Sequence, residues 1–408
     1  MAKLIVQKYG GTSVGNLNRI KKVADRVISY AKQKNKLVVV VSAMGDTTDE
    51  LISLAKKINP LPSERELDML ISTGEQISSA LLAMAIHKKG YQAISFTGPQ
   101  VGIITDTFHT KAKILKIEAD RIKEELKKGK IVIVAGFQGI STDSEITTLG
   151  RGGSDLSAVA LAVALSADLC EIYTDVDGIF TADPRIVKNA KKLSYISFDE
   201  MLELSARGAQ VMQTRAVEVA KKFNIPIIVR SSFNKKEGTI IMDRKPYIEE
   251  PVVRGVALTE NEAKITICNV PDRPGIAAKV FNALASSNIN IDMIVQNVSH
   301  QKLTDISFTV SKDNLSKALK ISKEIAKEIK AGAVLSDENI AKVSIVGVGM
   351  RSQAGVAAKC FSVLAKNKIN IEMISTSEIS ISCVVNKKYG KKALNALHSA
   401  FELDKIKS

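Results

Sequence analysis

A chain of 408 residues, 45% hydrophobic and 25% charged, is globular in composition and long enough for two or three domains. Its formal net charge of +15 raises nucleic acid or a membrane surface as a partner, yet only 13 of the 58 basic residues are Arg and no Trp is present. The Lys residues fall in scattered pairs (Lys21-Lys22, Lys56-Lys57, Lys88-Lys89, Lys221-Lys222) without interleaved aromatics, the pattern of solvated helix faces, so neither nucleic acid nor a membrane is expected. Cys170, Cys268, Cys360 and Cys383 lie far apart with no C-x-x-C and read as reduced thiols. The start MAKLIVQKYGG is too short for a signal-peptide core, and a cytoplasmic protein is expected.

Short β-branched runs over 4–7, 37–41, 93–96 and 131–135 alternate with helical patterns over 17–32, 66–87 and 112–127. Such alternation predicts a mainly parallel sheet covered by helices. LVVVVSAM and IVIVAGF are apolar on both faces, as central strands require. The Ala-rich stretch 157–169 is too long for a typical strand and reads as a buried helix. Strands follow over 170–174 and 225–230, then comes Gly238-Thr239-Ile240-Ile241, and periodicity stops at Arg244-Lys245-Pro246, which places a domain boundary near 243–251.

The second half is duplicated. AKITICNVPDRPGIAAKVFNALASSNINIDMI (263–294) matches AKVSIVGVGMRSQAGVAAKCFSVLAKNKINIEMI (341–374), with Gly275 and Gly355, Lys279 and Lys359, and Asn290 and Asn370 each 80 residues apart. Each copy reads strand, Gly-bearing turn, amphipathic helix, then a strand opened by Asn-Ile-Asn-Ile in the first copy and Lys-Ile-Asn-Ile in the second. A further strand over 305–310 and helix over 315–329 complete a βαββαβ order in the first copy. The turn leaves free N–H groups at a helix start, able to receive a ligand carboxylate.

Five motifs carry chemistry. Lys8-Tyr9-Gly10-Gly11-Thr12-Ser13 follows the first strand; its Gly pair lets backbone approach phosphate while Lys8 offsets charge, although such a pair is also an ordinary turn. Ser42-Ala43-Met44-Gly45-Asp46-Thr47-Thr48-Asp49-Glu50 is a hydroxylic and acidic helix start, readable equally as an N-cap. Within Ser72-Thr73-Gly74-Glu75, the Glu could meet a substrate amine or face water. Thr147-Thr148-Leu149-Gly150-Arg151-Gly152-Gly153-Ser154-Asp155 is the strongest: glycines around an Arg ahead of a buried helix make an anion site. Asp175-Val176-Asp177-Gly178, after the next strand, is either an Asx-turn or a nucleotide or Mg²⁺ contact.

KYGGTS, VSAMGDTTDEL, STGE, FQG, TTLGRGGSD, TDVDGIFTADPR and EMLELSARGAQVM, in this order and followed by paired ACT-like repeats, closely resemble the aspartokinases of the amino-acid kinase family, from Lys3 to about Leu403. The resemblance implies an amino-acid-kinase-type three-layer α/β sandwich over 1–245 with a mainly parallel sheet. Two βαββαβ ACT domains would follow over 263–333 and 341–405, strand 252–258 joining the second. It implies transfer of the γ-phosphoryl group of ATP, with Mg²⁺ carried by the nucleotide and no direct protein ligand, to the side-chain carboxylate of L-aspartate. Lys8 and Asp155 would be catalytic. ATP would lie against Lys8, Tyr9, Gly10, Gly11, Ser42, Ser154, Thr174, Asp175, Phe180, Thr181, Ala182, Asp183, Pro184 and Arg185. Aspartate would lie against Asp46, Thr47, Thr48, Asp49, Glu50, Glu75, Arg151, Gly152, Gly153 and Ser154, with Arg151 on its α-carboxylate and Glu75 on its amine.

Lysine, threonine or both would bind as feedback effectors at Asp272, Arg273, Pro274, Gly275, Ile276, Ala277, Ala278, Asn290, Ile291, Asp292 and Gln296 in the first repeat. Val356, Ala357, Asn370, Ile371 and Ser377 would serve in the second. Homo-oligomers through ACT pairing are expected, and Met242 is a candidate internal start for an ACT-only subunit. One departure stands out: many family members place a second active-site Lys where this chain has Gln210. A kinase for another acidic amino acid and a catalytically silent amino-acid sensor are the rival readings.

Overall fold

The computed structural model describes residues 2–209, 211–243, 251–297, 302–351 and 353–406. Gln210 and the Arg244-Lys245-Pro246 segment lie outside them. The first half runs β1 (Leu4–Tyr9), α1 (Leu17–Ala31), β2 (Lys36–Val41), α2 (Thr47–Ile58), α3 (Glu64–Ile71), α4 (Thr73–His87), β3 (Ala93–Phe96), β4 (Ile103–Thr105), β5 (Ile114–Ile117), α5 (Asp120–Lys127) and β6 (Ile131–Ala135). It continues with β7 (Gln138–Ser141), β8 (Ile146–Thr148), α6 (Gly153–Ala164), β9 (Leu169–Thr174), β10 (Tyr195–Ser197), α7 (Phe198–Ala206), α8 (Thr214–Phe223), β11 (Ile227–Ser231) and β12 (Thr239–Met242).

Eight strands form one sheet in the order β10-β12-β11-β9-β1-β2-β6-β3, parallel except where β11 meets β12. Strand alternation divides the core. Ile5, Tyr9, Leu37, Val39, Val41 and Ile133 pack under α1 and α4, while Val6, Val38, Val40, Val132, Val134 and Ile172 pack under α5, α6 and α8. All residues of α6 from Gly153 to Ala162 are buried, so Ala-rich composition is what lets this helix lie against its neighbours on every side. A second, four-stranded sheet, β5-β4-β7-β8, flanks the parallel one. With β1 at the centre, the chain leaves β1, β2 and β9 at a shared carboxyl edge, the place where open α/β sheets hold ligands.

Two helical patterns divide on inspection. The stretch read as a helix over 112–127 is β5 followed by α5, because Ile114 and Ile117 pair with β4 before the charged, amphipathic Asp120–Lys127 begins. The stretch 66–87 breaks at Ser72, whose carbonyl accepts from Gln138 Nε2 at 2.7 Å. Together α3 and α4 are long and apolar enough to cross a membrane, yet they carry Asp68 and Glu75 buried in the protein. They are core helices.

The second half contains β13 (Gly255–Thr259), β14 (Glu262–Pro271), α9 (Ile276–Ala285), β15 (Ile294–Gln296), β16 (Leu303–Ser311), α10 (Leu315–Glu328) and β17 (Val334–Asp337). Then come β18 (Ile340–Val346), α11 (Val356–Lys366), β19 (Ile371–Thr376), β20 (Ser380–Asn386) and α12 (Gly390–Ala400). Two antiparallel sheets result, β15-β16-β14-β17 and β19-β20-β18-β13. In the first, the edge beside β14 is filled by β17 from the end of the same repeat; in the second, the edge beside β18 is filled by β13, which precedes the first repeat. The copies differ after the shared Ile-Asn-Ile: β19 starts at Ile371, whereas Asn290–Met293 lie outside β15. Gly275 and Gly355 both take φ of +90°, which favours Gly at each helix start.

Candidate active site

Three loops interlock at the carboxyl edge. A Cβ on Gly11 would come within 3.0 Å of the Ala43 carbonyl and 3.1 Å of the Gly45 carbonyl, and Gly45 N donates to Gly11 O at 3.1 Å, so this position requires Gly for close approach. Ser42 N donates to Tyr9 O, and Ser42 Oγ donates to Ser154 Oγ at 3.0 Å. Lys8 Nζ lies 2.6 Å from Asp155 Oδ1, with both side chains largely buried. Strand β1 thus supplies a cation directly above the start of α6, whose free N–H groups and dipole favour an anion. Gln213 reaches over the same helix start, donating through its backbone N to Asp155 Oδ2 at 3.3 Å and through Nε2 to Arg151 O at 3.0 Å.

Glu75 is 3% exposed at the start of α4. Its Oε1 accepts from Ala43 N at 3.0 Å, and its Oε2 has no hydrogen-bond partner among the described residues. Burial pushes its carboxyl up to about 7, against the lowering pull of the Ala43 N–H. A buried, half-satisfied carboxylate beside the phosphate-type loops fits an ammonium group. Arg151 is exposed on the loop between Gly150 (φ +81°) and Gly152 (φ +75°). Thr47 donates to Met44 O at 2.6 Å, whereas Asp46, Asp49 and Glu50 are exposed around the start of α2, outside the buried cluster.

On the other flank, Ser232 N donates to Thr174 O at 2.8 Å and Ser13 Oγ donates to Ser232 Oγ at 2.9 Å. Asp177 accepts from Asn234 Nδ2 and Lys236 Nζ, which holds its carboxyl below the ordinary range. Arg185 is paired with Asp183 at 2.7 Å and is well exposed. Arg26 caps the Ser231, Ser232 and Asn234 carbonyls. Sequence reading missed Ser232, Asn234, Lys236, Arg26 and Gln213; the available signal was the SSFN run that begins with the last residue of β11, a strand parallel to β9.

Three expected nucleotide contacts have side chains turned elsewhere. Tyr9 is fully buried, stacks on Tyr173 with centroids 4.7 Å apart and donates to Gln7 Oε1, because alternation along β1 sends it to the face opposite Lys8. Thr181 Oγ1 lies 2.9 Å from His398 Nε2, and Ala182 packs in the core of the second repeat. Val356 likewise belongs to that core. In the first repeat, Asp272, Arg273, Pro274, Gly275, Ala278, Asn290 and Gln296 are exposed, while Asp292 is held by Arg207 Nη1 at 3.2 Å and by Lys342. Ser377 Oγ donates to Glu203 Oε1 at 3.4 Å.

A doubly covered parallel sheet with a Gly-lined anion site at its carboxyl edge, joined to a duplicated antiparallel unit, defines a phosphate-handling α/β enzyme with a regulatory half. The sequence matches the amino acid kinase family over residues 3–231 and the ACT domain over residues 268–324 and 343–401. An aspartate kinase of Stutzerimonas stutzeri is 53% identical over 402 residues, 98% of either chain. Escherichia coli aspartokinase III in complex with aspartate and ADP (R-state) is 27% identical with a TM-score of 0.85, over 98% of this chain and 99% of that one. The same enzyme with lysine and aspartate (T-state) gives 28% and 0.74 over the same shares. The chain belongs to the amino acid kinase family and, within it, to the ACT-bearing aspartate kinases.

Proposed function

We propose that the protein phosphorylates the side-chain carboxylate of L-aspartate with ATP and Mg²⁺ to give 4-phospho-L-aspartate, the entry to lysine, threonine, methionine and diaminopimelate synthesis. The observation that carries this reading is the Lys8–Asp155 pair at the α6 start, set beside the half-satisfied Glu75. The acceptor carboxylate is already ionised at neutral pH, so no general base is needed and catalysis rests on alignment and charge neutralisation. An oxygen of that carboxylate forms the new P–O bond as the bond to the ADP leaving oxygen breaks.

Each residue has a defined task in this scheme. Lys8 offsets charge on the transferring group, and Asp155 holds the Lys8 ammonium in place. Gly10, Gly11 and the α6 N–H groups receive phosphate oxygens; Thr174, Asp175 and the backbone around Phe180–Arg185 bound the nucleotide. Arg151 takes the substrate α-carboxylate, and ionised Glu75 takes its ammonium. Lysine and threonine act through the ACT repeats of a cytoplasmic homo-oligomer, with Met242, the last residue of β12, as a possible start for a separate regulatory chain.

Hydroxylamine trapping of the acyl phosphate tests the assignment. Aspartyl hydroxamate formed only with aspartate, ATP and Mg²⁺ is the expected result; turnover of glutamate or another acid in its place would overturn the substrate.

A further inference from the structure

Asp68, on α3, is wholly buried, and the chemistry proposed above does not use it. Four donor atoms converge on its carboxylate. Its Oδ2 accepts from Thr110 N at 2.9 Å and Thr148 N at 3.1 Å and lies 2.9 Å from His109 Nδ1, while its Oδ1 accepts from Thr148 Oγ1 at 2.6 Å. The donors belong to two segments outside α3: the loop after β4 and the end of β8.

Both ends of this knot lead to the amino-acid side of the cleft. Three residues beyond Thr148 stands Arg151; seven beyond Asp68, across the break at Ser72, stands Glu75. The connecting pieces are tightly held. Ala112 N donates to Thr148 O at 2.9 Å, Arg215 donates to the Leu149 and Ala112 carbonyls, and a Cβ on Gly150 would lie 3.2 Å from Thr110 O. The nucleotide flank at Thr174, Ser232 and Asp177 has its own bonds, separate from this set.

We propose that Asp68 is a positioning residue for the amino-acid substrate, a buried carboxylate that ties α3 to the β8–α6 loop and so fixes the spacing between Glu75 and Arg151. The inference rests on the reading of those two residues as clamps for the substrate ammonium and α-carboxylate. An ionised carboxylate suits the position because every group facing it is a donor. An Asn side chain would turn an NH₂ group toward N–H or O–H donors and leave a buried group unsatisfied. The loop would then shift, and a displacement of even an ångström at a substrate clamp costs orders of magnitude in productive binding.

The test is steady-state kinetics of the full chain with aspartate and ATP varied separately, on the unmodified protein, Asp68→Asn and Thr148→Val. The second variant keeps side-chain size, removes only the Oγ1 donor, and decides the matter should Asp68→Asn fail to fold. Expected is a rise of about tenfold or more in KM for aspartate, smaller in Thr148→Val, with KM for ATP held within about twofold. An unchanged KM for aspartate in a folded variant would overturn the proposal, as would both KM values moving together with the thermal midpoint, the mark of a purely structural role. Lack of aspartate phosphorylation by the unmodified chain is a different failure, that of the substrate assignment.

Discussion

Arg207, at the end of α7, donates through Nη1 to Asp292 Oδ1 at 3.2 Å, so an acid of the first repeat's Asn-Ile-Asp-Met segment touches the kinase half directly. Glu203, one turn earlier, is the second partner of Arg207 and also accepts from Ser377 of the second repeat. Two positions expected to sense effectors therefore meet on one helix of the catalytic half. Four residues past Arg207 the chain reaches Val211 and Met212, and then Gln213, which bonds Asp155 and Arg151. An effector that drew Asp292 away from Arg207 would act on a short covalent path to the catalytic loop.

Asp292→Asn should accordingly weaken feedback. The substitution keeps side-chain size and removes the first-repeat charge paired with Arg207, leaving Glu203 as its other partner. The concentration of lysine or threonine giving half-inhibition should rise by about fivefold or more, the lower range of allosteric coupling. Dose–response curves for each amino acid, normalised to uninhibited rate, provide the check. Curves superimposable on those of the unmodified chain would show that the ion pair only holds the halves together.

Lys8→Ala should cost about 3 kcal/mol or more of transition-state stabilisation, the range for losing a charge-stabilising donor in a closed site. Asp155→Asn should fall in the same direction by a smaller amount, since Lys8 would persist without its orienting partner 2.6 Å away. Their double variant should cost little more than Lys8→Ala alone, because the pair acts as a unit. Single-turnover rates measure all three, and a near-normal rate for Lys8→Ala would refute the phosphate-site assignment.

Lys8 and Asp155 were legible as a pair of catalytic positions through the family resemblance, which their compact Gly-bearing motifs carry. The side-chain directions of Tyr9 and Thr181 were not legible for a physical reason: adjacency in a motif says nothing about which face of a strand or loop a side chain takes. Tyr9 points opposite to Lys8, and Thr181 turns to His398, 217 residues away. Asp68 left no local trace at all, since its meaning comes from Thr110 and Thr148 folding back onto it. The helical pattern over 112–127 gave way in its first part, where pairing with β4 overrode periodicity, whereas 66–87 is helical on both sides of Ser72, whose carbonyl takes a side-chain bond from Gln138.

Glu75 gives a pH dependence with a definite sign. Its folded-state value, about 7, lies above the 4.5 of an unperturbed Glu. The folded protein binds the extra proton between these values, so this residue makes stability fall as pH rises from about 4.5 through 7. Above pH 7 the penalty is on the order of 3 kcal/mol. Glu75→Gln should thus be the more stable protein at pH 8, with the difference shrinking toward pH 5, as thermal melts would show. Function runs the other way: the ionised form binds the ammonium, so KM for aspartate should fall as pH rises through about 7 in the unmodified chain. A KM flat from pH 6 to 8 would remove Glu75 from the substrate site.

Lys342 supplies the last prediction, on the junction of the two repeats. Its side chain is fully buried on β18, with Nζ 2.6 Å from Glu262 and also bonded to Asp292, both of the first repeat. Met293, Ile340, Met373 and Val384 form an apolar cluster that spans the same junction. Removing the cation alone leaves Glu262, whose side chain is 11% exposed, without its partner, while Asp292, 32% exposed, keeps Arg207; breaking a buried ion pair costs up to about 3–5 kcal/mol, and the solvent at Asp292 moves the loss toward the lower end. Lys342→Met should therefore destabilise the regulatory half strongly despite its similar volume. The triple variant Lys342→Met, Glu262→Gln, Asp292→Asn leaves no unpaired acid at the junction and should recover most of that loss, while Arg207 keeps Glu203. Chemical denaturation followed by far-UV circular dichroism separates the two outcomes. A single variant that loses less than about 1 kcal/mol would mean that water reaches Lys342 and screens the pair, as at an exposed surface.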